Sequence, residues 1–448
     1  MKCPAYRNPV IVSLVALLLL AIPPANAQNK EPPEVENEED VAEIVDEFDC
    51  PEQDEDEGVD EVDPRCLEIA LVEQDDTADI DTNSTMDTAG DRQGLIIGGD
   101  FRPLVNYVDN SRRSGDAFTN TDTQARVRLK ASARLSNLIG VGARVAGRCS
   151  SDDCDFDWIS SSSTPQSNGL AHGQFTFDEA FIHLFRDDRF DLTLGRQQTR
   201  SVLRAGVFSR SLDRNDSNNT NVTWTDGAHF ALRRRRGWDG QVIVQHNAAD
   251  GSGSVLRGQL DFAPSSARTS YYISTENRVP LGPIAQRSLS ISYLPNSLLK
   301  DGVADGRRET YIGYVVRMAF RWPQKTDGPR LRAGFEIGYA PEVPTSEAAN
   351  IDASVDGLAW NVALSLMEFK PRHNIGVFYS RTGAGWLLSP NFLQNEESFE
   401  VRYQWRPRNF PAIDARIRWR EDTHQLTTAD RKRERIDAFL RLTWQFGL

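Results

Sequence analysis

Long hydrophobic runs are what this chain lacks most. Beyond its N-terminus it has no stretch of about 20 apolar residues, so helical membrane spans are not expected. A β-barrel escapes that test, because only alternate residues of its strands face lipid. Histidine is sparse and scattered: His172, His183, His229, His246, His373 and His424 show no metal-ligand spacing such as i, i+4 on a helix. A barrel hydrolase needs Ser and His together at a rim; His172 or His424 with a loop Ser is all the sequence offers, and each reads as an ordinary surface His. No catalytic constellation, metal site or cofactor is expected, and no nucleic-acid partner. Cysteine is scarce too, with five in 448 residues and no His near any of them. Basic residues are nearly missing from 31–90, which carries 25 Asp or Glu against Arg65 alone, a net charge of −24. Such a stretch repels itself and lacks apolar mass, which predicts disorder.

What is present begins with a secretory signal at 1–27. Lys2 and Arg7 make its positive start, 10–22 its apolar centre, and Ala25-Asn26-Ala27 a small-x-small cleavage site. Cys3 leaves with it. The four remaining cysteines suit an exported chain, and sequence proximity favours Cys50–Cys66 and Cys149–Cys154 among three possible pairings. The acidic segment spans 28–93, and the domain from 94 to 448 follows. There the charge changes sign: residues 91–448 hold 47 of the 51 basic residues and 40 of the 65 acidic ones, a net charge of +7.

That domain is a series of alternating segments joined by turns. In 124–135, Arg126, Arg128, Lys130 and Arg134 share one face and Val127, Leu129 and Leu135 the other. In 311–322, Arg317 and Arg321 oppose Ile312, Tyr314, Val316 and Trp322. Arg330 and Arg332 oppose Leu331 and Phe335; Arg402 opposes Val401 and Tyr403; Arg416, Arg418 and Arg420 oppose Ile417 and Trp419; Arg441 opposes Leu440 and Leu442. Strands send alternate side chains to opposite faces, so each has one apolar and one largely polar side. A soluble sandwich also has apolar strand faces. Two features favour a transmembrane barrel: arginine recurs on successive polar faces, and aromatics gather at strand ends, as at Trp322, Tyr339, Trp405, Trp419, Trp444 and Phe446.

Seventeen segments alternate, among them 255–262. A bacterial single-chain barrel takes an even number of strands. The expectation is an all-β antiparallel barrel of about 16, with 18 open, closed by the last segment pairing with 95–108. Longer connections fall near 109–123, 148–173, 197–225, 342–353, 382–397 and 421–434.

The inward arginines are the candidate pore lining: Arg126, Arg128, Lys130, Arg134, Arg317, Arg321, Arg330, Arg332, Arg402, Arg416, Arg418, Arg420 and Arg441. Guanidinium groups in a narrow aqueous pore favour anions. Glu309, Glu336, Glu400, Asp414 and Asp437 share those faces and can cancel the field. The connection 197–225 carries Arg200, Arg204, Arg210 and Arg214; folded inward it narrows a pore, and left outside its charges are merely solvated.

Phe177-Asp178-Glu179-Ala180-Phe181, with Leu194-Gly195-Arg196-Gln197, resembles a pattern of Gram-negative outer-membrane porins. The run 381–391, then 399–406, resembles the phosphate-selective porin O/P type. The resemblance covers about 95–448 and implies a homotrimer. No lysine cluster is concentrated in one loop, which favours weak anion preference over a dedicated phosphate site. The expected function is passive diffusion of small hydrophilic or anionic solutes through a channel set in outer-membrane lipid, without enzymatic activity. The alternative is a barrel that anchors the acidic segment for envelope tethering or adhesion.

Overall fold

The computed structural model describes residues 95–447 except 160–168, 187–189, 215–221, 234–236, 248–258, 263–267, 304–305, 323–328, 390 and 409. The signal peptide, the acidic segment and the Cys50–Cys66 pairing lie outside the described residues. Cys149 and Cys154 are joined by a disulfide.

Sixteen of the described strands form the wall. In order they are β1 Leu95–Ser111, β2 Ala117–Arg134, β3 Ile139–Ser150, β4 Gln174–Arg186, β5 Phe190–Gln197, β6 Thr225–Arg233, β7 Trp238–His246 and β8 Thr269–Asn277. Then come β9 Ile284–Leu299, β10 Arg308–Trp322, β11 Arg330–Tyr339, β12 Leu358–Lys370, β13 His373–Thr382, β14 Glu396–Trp405, β15 Ala412–Asp422 and β16 Glu434–Gly447. Each pairs antiparallel with its sequence neighbour. β16 pairs with β1, from Ser111↔Glu434 to Gly98↔Gly447, so the sheet closes on itself and leaves no edge.

The burial pattern is inverted relative to a water-soluble sheet. Leu95, Leu129, Ile417 and Leu440 are 53–64% exposed on the outside, whereas Arg126, Arg402 and Arg441 are 0% exposed within. A sandwich would bury its apolar faces against each other; here they form an outer band suited to lipid. Aromatics mark both ends of that band. Phe101 stacks on Trp444, Phe320 on Trp322 and His373 on Trp405 at the end that holds the short turns. Trp360 with Tyr379 and Tyr271 with Tyr293 lie toward the other.

Short turns and long connections segregate to opposite ends. The turn after β2 is set by Ser136, whose hydroxyl accepts the Leu138 and Ile139 N–H groups. The connection placed at 109–123 is shorter than expected, because β1 and β2 stay paired to Ser111↔Ala117. The segment 255–262 is not a wall strand. β7 pairs directly with β8, Trp238↔Asn277 to His246↔Thr269, and leaves no place between them. Its described end, 259–262, instead makes a single bridge from Leu260 to Leu298 and buries Leu260 and Phe262 in an apolar cluster. Alternation alone cannot tell such a segment from a spanning strand. Removing it turns seventeen into sixteen.

Candidate pore-lining site

The lumen has two unlike halves, and strand sequence explains both. Many inward positions on β10–β13 are small or apolar, Gly313, Val315, Ala319, Gly334, Gly338, Ala359, Ala363 and Gly376 among them, with Arg317 and Glu336 set between them. Inward positions on β14–β16 and β1–β4 are rich in arginine and carboxylate.

The small half is filled by chain from two connections. After β5, Leu203–Ala205 and Phe208–Arg210 pair as a hairpin with Gly206 at φ +82° in its turn, a value that suits glycine. The hairpin lies on the inner wall, and Leu203, Phe208, Leu212, Val315, Ala363 and Phe378 form one buried cluster with it. The connection after β13 adds Trp386, Leu387, Leu388 and Phe392. Glycines make this possible by close approach. A Cβ on Gly334 would stand 2.9 Å from Leu203 and Ala205, on Gly338 2.7 Å from the Trp386 ring, and on Gly376 2.5 Å from Val207.

Polar groups latch the two insertions together. Trp386 Nε1 donates to Leu212 O at 2.8 Å, Ser389 Oγ to Ser211 O at 2.7 Å, and Ser211 N to Asn391 Oδ1 at 3.1 Å. Tyr311 OH donates to Gly385 O at 2.8 Å and accepts from Leu387 N at 2.9 Å. Placing valine at Gly338 is therefore expected to push Trp386 from its slot, an overpacking cost of roughly 1–3 kcal/mol. Near-UV circular dichroism with limited proteolysis of the inserted connection measures it; an unchanged tryptophan signal would refute the packing.

Arg317 is the centre of the latch. Its guanidinium pairs with Glu336 and with Asp213 at 2.7 Å, and donates to Ser201 Oγ at 2.9 Å, Ser290 Oγ at 3.1 Å and Ser211 Oγ at 3.0 Å. Glu336 also accepts from Leu212 N at 3.2 Å and Asn361 Nδ2 at 2.7 Å. Of the four arginines on the loop, Arg210 reaches across to Glu400. Arg214 bonds Gln245 and Thr225, donates to Thr199 at 2.8 Å and lies 4.4 Å above the Tyr272 ring. Arg204 stands 3.9 Å from Glu276, and Arg200 is half-buried.

The other half is a charged wall. Asp437 on β16 pairs with four arginines: Arg416, Arg418 at 3.2 Å, Arg420 at 3.2 Å and Arg435 at 3.8 Å. Glu396 pairs with Arg433 at 2.9 Å and lies 4.0 Å from Arg420. Arg402 bonds Glu400 at 3.0 Å, and Arg441 bonds Asp414 at 3.0 Å. Phe439 sits between Arg416 and Arg441, 4.4 and 5.5 Å from its ring centre. Across the seam, Asp100 pairs with Arg126 and with Arg102 at 3.2 Å. Arginines face each other in register at Arg402↔Arg416, Arg420↔Arg435 and Arg102↔Arg126. Directly opposed like charges destabilise a sheet, and the shared carboxylates offset that repulsion.

On β3 and β4 a bulge performs the same task. The register skips between Arg144 and Val145, so Asp178 and Glu179 are both buried beside the lumenal bases. Asp178 holds Arg144 in a fork at 2.9 and 2.8 Å and pairs with Arg128 at 2.9 Å. Glu179 pairs with Arg144 at 2.9 Å and Lys130 at 3.8 Å. Gly195 lies opposite Phe181 with φ +120°, where a Cβ would stand 2.4 Å from Ala180 O. These contacts give physical content to the 177–181 and 194–197 motifs.

Four remaining lining candidates lie toward the short-turn end. Arg134 donates to Ser136 O and Asn137 O, each at 3.3 Å, and Arg330 pairs with Glu368 at 3.0 Å. Arg321 and Arg332 face each other across β10 and β11. Arg102, Arg144, Arg433 and Arg435 are lumenal bases absent from the sequence-based set. Arg102 follows Gly98-Gly99 and precedes Pro103, which blurs the alternation, and Arg433 lies in a connection. His172 is bonded by Arg148 Nη2 at 2.8 Å; that guanidinium, with burial, holds its imidazole at about 3, so it stays neutral near pH 7.

No family model and no curated protein matches the chain. Solved structures do. OprB of Pseudomonas putida superposes with a TM-score of 0.50 at 11% identity, over 83% of this chain and 99% of that one. The chain has the fold of an outer-membrane porin. An anion-selective porin from Comamonas acidovorans is similar at a TM-score of 0.48 and 11% identity, over 78% and 99% of the two chains. OmpF of Salmonella typhi, in complex with daunomycin, gives 0.47 at 11% identity, over 79% and 97%. Within the porin fold, the inserted hairpin stands against β10–β13 and leaves the arginine wall facing it.

Proposed function

We propose that this porin fold forms a water-filled channel for passive diffusion of small hydrophilic solutes across the outer membrane, with a mild preference for anions. The observation that carries the reading is the surplus of guanidinium on one lumenal wall, where Asp437 is shared by Arg416, Arg418, Arg420 and Arg435. Inward arginines select anions in aqueous pores. The inserted hairpin supports a narrowed passage, in which charged walls act at short range and in a lowered dielectric. The arginines are spread over several strands rather than gathered in one loop, which supports general anion preference over the dedicated selectivity of the phosphate-selective O/P type. The homotrimer implied by the sequence resemblance belongs to the same proposal.

Reversal potentials across planar bilayers in a potassium chloride gradient test it. The expected sign is that of chloride as the more permeant ion, with the preference shrinking at higher salt. The Debye length falls from about 10 Å at 0.1 M to about 3 Å at 1 M. Cation selectivity would sink the anion preference, and the absence of any conductance would sink the channel.

A further inference from the structure

A second cationic feature stands apart from the arginine wall. At the short-turn end a cavity of about 120 Å³ opens between the inserted hairpin and the barrel, lined by Arg204, Arg278, Arg321, Arg332, Gln286 and Phe320 among others. Arg321 is the last inward residue of β10, and Arg332 faces it in register on β11. On the arginine wall every such pair has a carboxylate beside it. Here the nearby carboxylates are engaged elsewhere. Glu276 is held by the Arg278 fork at 2.7 and 3.0 Å and accepts from Gln286 Nε2 at 3.1 Å. Glu368 pairs with Arg330 at 3.0 Å. Among the described residues neither Arg321 nor Arg332 forms an ion pair, and Arg332 Nε is buried without a hydrogen-bond partner.

The far side of the cavity is fixed. Arg204 N donates to Gln286 Oε1 at 2.9 Å, and Gln286 Nε2 donates to Val202 O at 2.9 Å, so the hairpin is tied to β9. Two opposed guanidiniums with no anion between them repel. A bound anion removes that cost and satisfies the idle N–H groups.

We propose that this cavity binds an oxyanion group, carboxylate or phosphate, carried by a solute within the lumen. Arginine forks match both groups in bidentate geometry. The volume admits a small oxyanion with a few waters, since a water occupies about 30 Å³ in the liquid. The site rests on the channel reading only for how the solute arrives. It would hold an anion at the short-turn mouth, away from the arginine wall.

Isothermal titration calorimetry on the purified full chain, with sodium phosphate and separately with sodium succinate at fixed ionic strength, tests it. The expected result is binding of at least one salt that weakens tenfold or more in the Arg321→Gln/Arg332→Gln chain. Arg408→Gln, at an exposed turn position of the same end, leaves it unchanged. Arg321→Gln alone keeps one fork and weakens binding by a smaller factor, which covers a double variant that does not fold. No heat with either salt in the unaltered chain, or equal affinity in the unaltered and substituted chains, overturns the site. Calorimetry needs no conduction. Binding without conductance therefore sinks the channel and keeps the site, and conductance without binding sinks the site alone.

Discussion

Arg317→Ala is expected to release the inserted hairpin from the barrel wall. Asp213 comes from the loop and Glu336 from β11, and Arg317 is the cation common to both. Removing one partner of a buried charge pair costs about 3–5 kcal/mol, because the other charge stays buried and uncompensated. Here two carboxylates lose their partner. The loop has an escape that a core strand lacks: it can swing into the lumen and let water reach Asp213 and Glu336. Much of the cost then appears as loop opening rather than as melting of the barrel, whose backbone pairing is untouched. Single-channel conductance should rise, and the hairpin should become cleavable in limited proteolysis while the barrel stays folded. Arg317→Lys should not restore the closed state. An ammonium is a compact point charge and cannot span Glu336, Asp213 and three serines as the guanidinium does. Unchanged conductance with a protease-resistant loop in the alanine chain would show that the apolar packing holds the hairpin by itself.

The second large effect concerns the wall opposite the hairpin. Arg418→Gln with Arg420→Gln removes two of the four guanidiniums around Asp437 and leaves Arg416 and Arg435 to pair with it. The barrel is expected to fold, since Asp437 keeps cationic partners. A unit charge about 4 Å from a permeating ion is worth about 1 kcal/mol even under water-like screening, or roughly fivefold in a permeability ratio. Anion preference should therefore fall toward an unselective pore, by up to roughly fivefold, with little change in conductance at high salt. Reversal potentials before and after substitution give the number. An unaltered ratio would mean that the permeating ion does not pass this wall, and the arginines would then be a structural ladder.

Much of the barrel is legible along the chain for a physical reason. Which way a strand side chain points is set by its position in the pleat. Arg402, Arg416, Arg418 and Arg441 are inward because Val401, Ile417 and Leu440 between them are outward, and each strand carries that information itself. The closing pair of strands follows from the same alternation. The segment 255–262 shows where this local rule stops. It has the composition of a strand, yet β7 and β8 are already paired, and backbone hydrogen bonding decides which segments enter a closed sheet.

The tertiary structure alone decided which arginines are spent and which are idle. Arg210 meets Glu400 across a separation of 190 residues, and Trp386 meets Leu212 across 174. No local pattern announces such partners. Arg317, Arg321 and Arg332 look alike in sequence, each an inward arginine on an alternating strand. Folding buries Arg317 under the hairpin among two carboxylates and three serines and leaves Arg321 and Arg332 facing each other. Charge type and facing are local properties and can be read from the order of residues. Whether a charge is neutralised depends on which distant groups the closed barrel and its inserted loops bring within reach.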